Sequence, residues 1–290
     1  MKYVFILLLL LNSSHVFSLQ WPVENPELKA AFAEKRGSSY NTGIDIGGRE
    51  QPVLAVADGE IVYYHEENNN FSAIPSGLGN FIILEHDRQL RTVYAFLKND
   101  SIKSNKYKVS AGEIIAETGD SGSASGQHLH FEVIDLELNE IINPLILIPA
   151  AKDKTKPVLR EVFIKDTKNN EYRSLSGRNE LKSGRFEISA VIYDTSEFNK
   201  YLYQIAPYKI NLFINGEEAA SLVYNSIKKS GNSLVLSSNL KTADEFYIEE
   251  SDWQIILGDF DIKPGTSRIE ISAGDYAGNE TVREFLVISQ

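Results

Sequence analysis

The sequence has no cysteine among its 290 residues, so no disulfide can form and no lipid can be attached at a cysteine behind a leader. Small exported domains often use disulfides to compensate for a thin core, so their absence implies domains large enough to do without. Long apolar runs are missing as well. The longest, Val4 to Leu11, falls well short of the roughly 20 residues needed to span a bilayer, which argues against stable membrane insertion. Basic residues are outnumbered by acidic ones, 29 to 40, giving a formal charge of −11. A surface of that sign argues against nucleic acid and anionic lipid as partners and leaves peptidoglycan or protein open. There is no internal repeat and no low-complexity tract, and the length predicts two globular domains.

What is present begins with an address. Lys2 precedes the apolar run and Val16-Phe17-Ser18 supplies small residues for cleavage after Ser18, so residues 1–18 read as a signal peptide of an exported, periplasmic or extracellular protein. Losing Lys2 with it would leave the mature chain slightly more acidic. Asn25-Pro26-Glu27 then reads as a helix start, predicting a helix from Leu28 to Lys35 that stops at Gly37. Beyond it, Tyr40 to Ile46, Val53 to Val56, Glu60 to Tyr64, Phe81 to Glu85 and Arg91 to Leu97 read as strands, with Asp58-Gly59 predicting a hairpin between the second and third of these. Strands and glycine turns with almost no helix predict a mostly β, antiparallel fold.

The most informative stretch is Gln127 to Val133. Leu129, Phe131 and Val133 alternate with His128, His130 and Glu132, and this period of two predicts a strand with the apolar side chains in a core and both imidazoles on the opposite face. Two imidazoles side by side on a rigid strand can begin a metal or acid/base site; an exposed face that carries two histidines is the plain alternative.

The order of segments Arg36-Gly37, Asn41-Thr42-Gly43-Ile44-Asp45, Ala57-Asp58-Gly59, Gly79-Asn80-Phe81, Tyr94-Ala95-Phe96-Leu97, Thr118-Gly119-Asp120-Ser121-Gly122 and His128-Leu129-His130-Phe131-Glu132 resembles the lysostaphin/LytM family of zinc peptidoglycan endopeptidases. The resemblance covers about residues 30 to 147 and implies a LytM-like domain at 19–149. Family members hold zinc with a His and an Asp from a His-x-Gly-x-Asp segment and with the second His of His-x-His. The first His of that pair, and another in a Tyr-Ala-His-Leu segment, act on the zinc-bound water and the oxyanion. The resemblance therefore implies Asp45 and His130 as residual metal ligands and His128 as a catalytic position. Asn41 stands where the third ligand belongs and Phe96 where the second catalytic histidine belongs.

Both replacements work against hydrolysis. A catalytic zinc normally keeps three good protein ligands, and a neutral carboxamide is a weak donor to it. Phe96 can neither donate a hydrogen bond nor move a proton. Of the five histidines, His15 leaves with the signal peptide, and His65 and His86 read as surface or turn-stabilising residues. No cofactor is therefore expected, and a direct Asp45–His130 hydrogen bond is preferred to a working metal site. Asn41 and Phe96 would line a groove suited to binding.

Ala150 to Pro157 reads as a charged linker. After it, short strands from Val158 to Ile288, with an Asn215-Gly216 hairpin, predict a β-sandwich over 157–290, and Asp275-Tyr276-Ala277-Gly278-Asn279 resembles the closing turn of bacterial immunoglobulin-like domains. Trp253 and the tyrosines read as core and surface filler. The expected function is non-catalytic work at the cell envelope as a pseudoenzyme, either binding peptidoglycan or activating a cell-wall hydrolase such as an amidase. The alternative is a zinc endopeptidase that cleaves peptidoglycan cross-links with an atypical ligand set.

Overall fold

The structure is a computed structural model that describes residues 19–68, 76–103, 106–149, 153–198, 201–248, 251 and 253–290. The predicted signal peptide lies outside the described residues. The fold is mostly β and almost wholly antiparallel, as the turn-rich sequence predicts. Its organising strand is His128–Asp135, flanked on one side by Leu90–Leu97 and on the other by Ile44–Gly47 and then Glu140–Ile142. Beyond Leu90–Leu97 the sheet continues through Asn80–His86 and Gly59–His65. The alternation holds: Leu129, Phe131 and Val133 enter a core with Ile44, Ile46 and Tyr94, whose ring lies 5.2 Å from that of Phe131. The opposite face is covered too, so His128, His130 and Glu132 are buried rather than solvated.

Two local readings are corrected. The predicted helix from Leu28 to Lys35 is absent. Glu27–Ala30 instead forms a strand against Ile44–Gly47, and a tight turn with Ala33 at φ 63° leads into the Lys35–Arg36 and Ser39–Tyr40 ladder. Pairing with the free edge of Ile44–Gly47, together with burial of Ala30, Ala31, Phe32 and Ala33, overrides a weak helix propensity in so short a segment. Asp58-Gly59 does not close a hairpin. Pro52–Leu54 pairs with Ile114–Glu117, while Gly59–His65 pairs with Asn80–His86. Gly59 serves close approach, since a Cβ there would sit 2.7 Å from His86 Nδ1 and 2.8 Å from Glu85 O.

The second half of the chain builds two five-stranded sheets. One contains Val158–Asp166, Gly184–Phe198 and Gln254–Ile262; the other contains Lys209–Ile214, Gly265–Gly274 and Glu280–Ser289. Asn215 and Gly216, at φ 55° and 84°, join Lys209–Ile214 to Glu217–Val223 as a tight hairpin. The linker separates chain segments but not the sheets. Ser226–Ser230 pairs with Glu140–Ile142 and, with Ser233–Leu236, extends the first sheet by a hairpin drawn from the second half. The halves also meet around residues 31–41: Tyr247 donates to Ala33 O at 3.0 Å, Tyr40 to Lys241 O at 2.9 Å, and the Ala206 N–H to Glu34 Oε1 at 3.1 Å.

Candidate functional site

The register of Ile44–Gly47 against His128–Asp135 sets Asp45 directly opposite His130. Residues opposite one another project from the same face, so both side chains meet above the sheet. That close pairing needs Gly43, because a Cβ there would fall 2.3 Å from Phe131 O. His130 Nδ1 donates to Asp45 Oδ1 at 2.7 Å, and His130 Nε2 donates to Glu132 Oε1 at 3.0 Å. The second oxygen of Asp45 takes the Arg36 guanidinium at 2.7 Å. Thr42 Oγ1 donates to Glu132 Oε1. His128 Nδ1 donates to Gly126 O at 2.7 Å, turning Nε2 toward Asp45 Oδ2 at 3.9 Å.

Arg36 and a protonated His130 balance Asp45 and Glu132, so the cluster is neutral as a whole although most of it is buried. Burial opposes a charge on His130, but hydrogen bonds and charge from Asp45 and Glu132 outweigh it and raise the imidazole to about 9. Burial likewise pushes Asp45 up, and His130, His128 and Arg36 bring it below its ordinary value. Glu132 is held low against burial chiefly by His130. His128 shifts the other way, since burial favours its neutral form.

Asn41 is 4% exposed and its carboxamide is committed: Nδ2 donates to Ala31 O at 2.9 Å, away from the Asp45–His130 pair. Its backbone closes the same turn, with Asn41 N–H donating to Glu34 O at 2.7 Å and Ala33 N–H to Asn41 O at 2.8 Å. Phe96 reaches the site by a different route. Ala95 lies opposite His130, so simple alternation would send Phe96 into the apolar core. A bulge between Leu90–Leu97 and Asn80–His86, with Phe96 at φ 62°, reverses it. The ring centroid then stands 4.9 Å from that of His128 and 5.6 Å from that of His130.

The structure thus brings Asp45, His128, His130 and Phe96 together and places Asn41 beside them but facing elsewhere. Two participants were missed in the sequence, Glu132 and Arg36; Glu132 was signalled by its place on the histidine face of the strand. His65 and His86 are both buried, which corrects the surface reading, and His86 bonds Asp58 O at 2.8 Å and Thr92 Oγ1 at 2.7 Å, as a turn-stabilising histidine would.

Zinc does not fit this donor set. Both nitrogens of His130 are occupied by carboxylates, the Asn41 amide is spent on Ala31, and no three ligand atoms of the cluster lie within 4.8 Å of one another. What remains suits a buried charge network better than a Lewis-acid centre with an open position.

The model of peptidase family M23 matches residues 39–144, and a second family model matches residues 156–289. Lipoprotein NlpD of Yersinia enterocolitica is 34% identical over 104 residues, which are 36% of this chain and 95% of that protein. A metalloprotease of Haemophilus influenzae is 31% identical over 125 residues, or 42% of this chain and 24% of its own length. The DD-carboxypeptidase/endopeptidase Mpg of Neisseria meningitidis is 33% identical over 93 residues, or 32% of this chain and 19% of its own. The chain therefore spans about a quarter or less of these last two relatives. The catalytic domain of lysostaphin from Staphylococcus simulans superposes with a TM-score of 0.33 at 24% identity, covering 38% of this chain and 80% of that one.

Proposed function

The chain belongs to peptidase family M23 through residues 39–144, and from that premise we propose that it is an exported, non-catalytic member of the family that binds peptidoglycan or a hydrolase acting on it. In this reading residues 1–18 are the signal peptide, 19–149 the LytM-like domain and 157–290 an immunoglobulin-like sandwich that serves as spacer. Among the relatives, the DD-endopeptidases ShyA and ShyB of Vibrio cholerae carry peptidoglycan in their names and supply the substrate class. The observation that carries the non-catalytic part is the pair of side chains at the former zinc and catalytic positions. Asn41 is tied to Ala31 O, and the Phe96 ring covers both imidazoles.

No hydrolytic step follows from such a cluster. An apolar ring at the position of the second histidine removes a donor from any developing oxyanion, a loss worth roughly 10²- to 10³-fold in rate by analogy with other oxyanion donors. What the residues do is hold shape. Asp45, His130 and Glu132 lock two strands together, leaving the exposed Arg36 and the half-buried Phe96 as the outward parts of the groove.

The test is zinc content measured together with activity on purified sacculi. The expected result is far less than one zinc per chain, no release of peptide fragments, and co-sedimentation with sacculi or retention of a wall hydrolase. Stoichiometric zinc that survives mild chelation, with cleavage abolished by Asp45→Ala, establishes the zinc endopeptidase instead.

A further inference from the structure

Three aspartates in the second half of the chain meet with no counter-charge among the described residues. Asp275 opens the turn that precedes the last strand, its Oδ1 accepting the N–H groups of Ala277 and Asn279 at 2.8 Å each and its Oδ2 accepting Asn279 Nδ2 at 2.7 Å. Asp194 lies within the Gly184–Phe198 strand, and Asp153 belongs to the linker. The same Asn279 Nδ2 reaches Asp153 O at 3.3 Å, drawing the linker onto the turn. One carboxylate oxygen from each aspartate lies within 4.8 Å of one from each of the others. None of the three is ion-paired with a lysine, arginine or histidine among the described residues.

A separate observation concerns Asp194 alone. Its side chain belongs to a residue only 3% exposed, yet its one hydrogen bond is the 2.8 Å contact from the neighbouring Thr195 N–H to Oδ1. No described residue donates to the other oxygen, and Asp194 lines, with Asp153 and Asp275, a cavity of about 350 Å³ into which such an oxygen can open. Buried carboxylates are ordinarily hydrogen-bonded or paired, because a bare one carries a large desolvation cost. Here the described residues supply three carboxylates and no donor for the remaining oxygen.

We propose that Asp153, Asp194 and Asp275 bind a calcium ion in this cavity. An all-oxygen, all-carboxylate set selects a hard cation over zinc or copper. Ligand type then favours calcium: it takes six to eight oxygen ligands in flexible geometry, whereas magnesium keeps several of its waters and is usually held by only one or two carboxylates. The hydroxyls of Thr155 and Ser196 line the same cavity, and water completes the coordination. The cavity is also walled by Glu27 and Leu28 of the first half, so the ion would fix the linker where the two halves face each other.

The test uses the full chain, stripped with EDTA and returned to metal-free buffer. Calorimetric titration with calcium chloride is expected to give one ion per chain, with magnesium weaker by 10-fold or more, and saturating calcium is expected to raise Tm by about 4 °C or more. Asp153→Asn, at a half-exposed site that carries little folding risk, should weaken binding at least 10-fold. Asp194→Asn should abolish it. Absence of both heat and Tm shift at about 10 mM calcium, above the range of weak extracellular sites, overturns the proposal. So does binding that persists unaltered in both Asp153→Asn and Asp194→Asn.

Discussion

Glu34 offers the sharpest quantitative test of how the two halves are joined. Its side chain is buried where residues 31–41 meet the second half, with Oε1 accepting the Ala31 N–H at 2.6 Å and the Ala206 N–H at 3.1 Å. Burial drives the carboxyl from its ordinary 4.5 up to about 8; the two backbone donors and Arg36 offset only part of that. At neutral pH the group is therefore mostly a neutral acid. An acid whose folded value is raised contributes its full stability below the unfolded value, near 4.5, and loses it as pH rises through about 8. At roughly 1.4 kcal/mol per unit the limiting loss is about 5 kcal/mol, and relaxation around the ionised group brings a realistic loss to about 2–4 kcal/mol. Glu34→Gln keeps an acceptor for both amides and cannot ionise. Urea unfolding of both proteins, followed by tryptophan fluorescence from pH 5 to pH 9.5, should show the variant equal or slightly weaker in acid and more stable by about 2–4 kcal/mol in alkali. Titrations elsewhere, His130 included, are common to both proteins and cancel in the difference. Parallel stability curves across that range would refute the assignment of Glu34 as a buried neutral acid.

Other predictions follow from the same geometry. Asn41→His should raise zinc affinity about 10-fold or more by adding a third good ligand, as read by metal analysis after dialysis, whereas cleavage of sacculi should need Phe96→His as well. Glu132→Gln removes one of the two carboxylates that raise His130 to about 9, so an NMR titration of the imidazole should move down toward neutrality; an unmoved value means that Asp45 alone sets it. Phe96→Gly should cost only about 1–2 kcal/mol, less than a usual Phe truncation, because relief of the φ 62° backbone offsets part of the lost packing.

The sequence made the strand of the site visible because alternation at 128–133 is clean and because apolar residues on one face leave little choice of register. The meeting of Asp45 with His130 was legible only through the family resemblance, and the structure adds that Gly43 permits the close pairing the register requires. Arg36 as a partner of Asp45 was not legible, since the two lie nine residues apart across a turn whose strand the sequence reading took for a helix. Nor was the direction of Phe96, which depends on a bulge set by Asn80–His86. Asp58-Gly59 misled because a glycine can be required by a neighbour across the sheet as well as by a turn. The hairpin contributed to the first sheet from residues 226–236 is a matter of tertiary pairing, for which no local pattern exists.

That contributed hairpin has a consequence for how the chain reaches its fold. Without it, Glu140–Ile142 would present a row of unpaired backbone groups, the kind of edge along which chains aggregate. The strand that protects this edge arrives late: Ile142 pairs with Ser226, some 84 positions further on. At a synthesis rate of roughly 5–20 residues per second, the edge stands open for about 4–17 s before its partner exists. A chain of this design gains from being kept unfolded until all of it is available, and a version cut after residue 149 should precipitate where the full chain stays in solution.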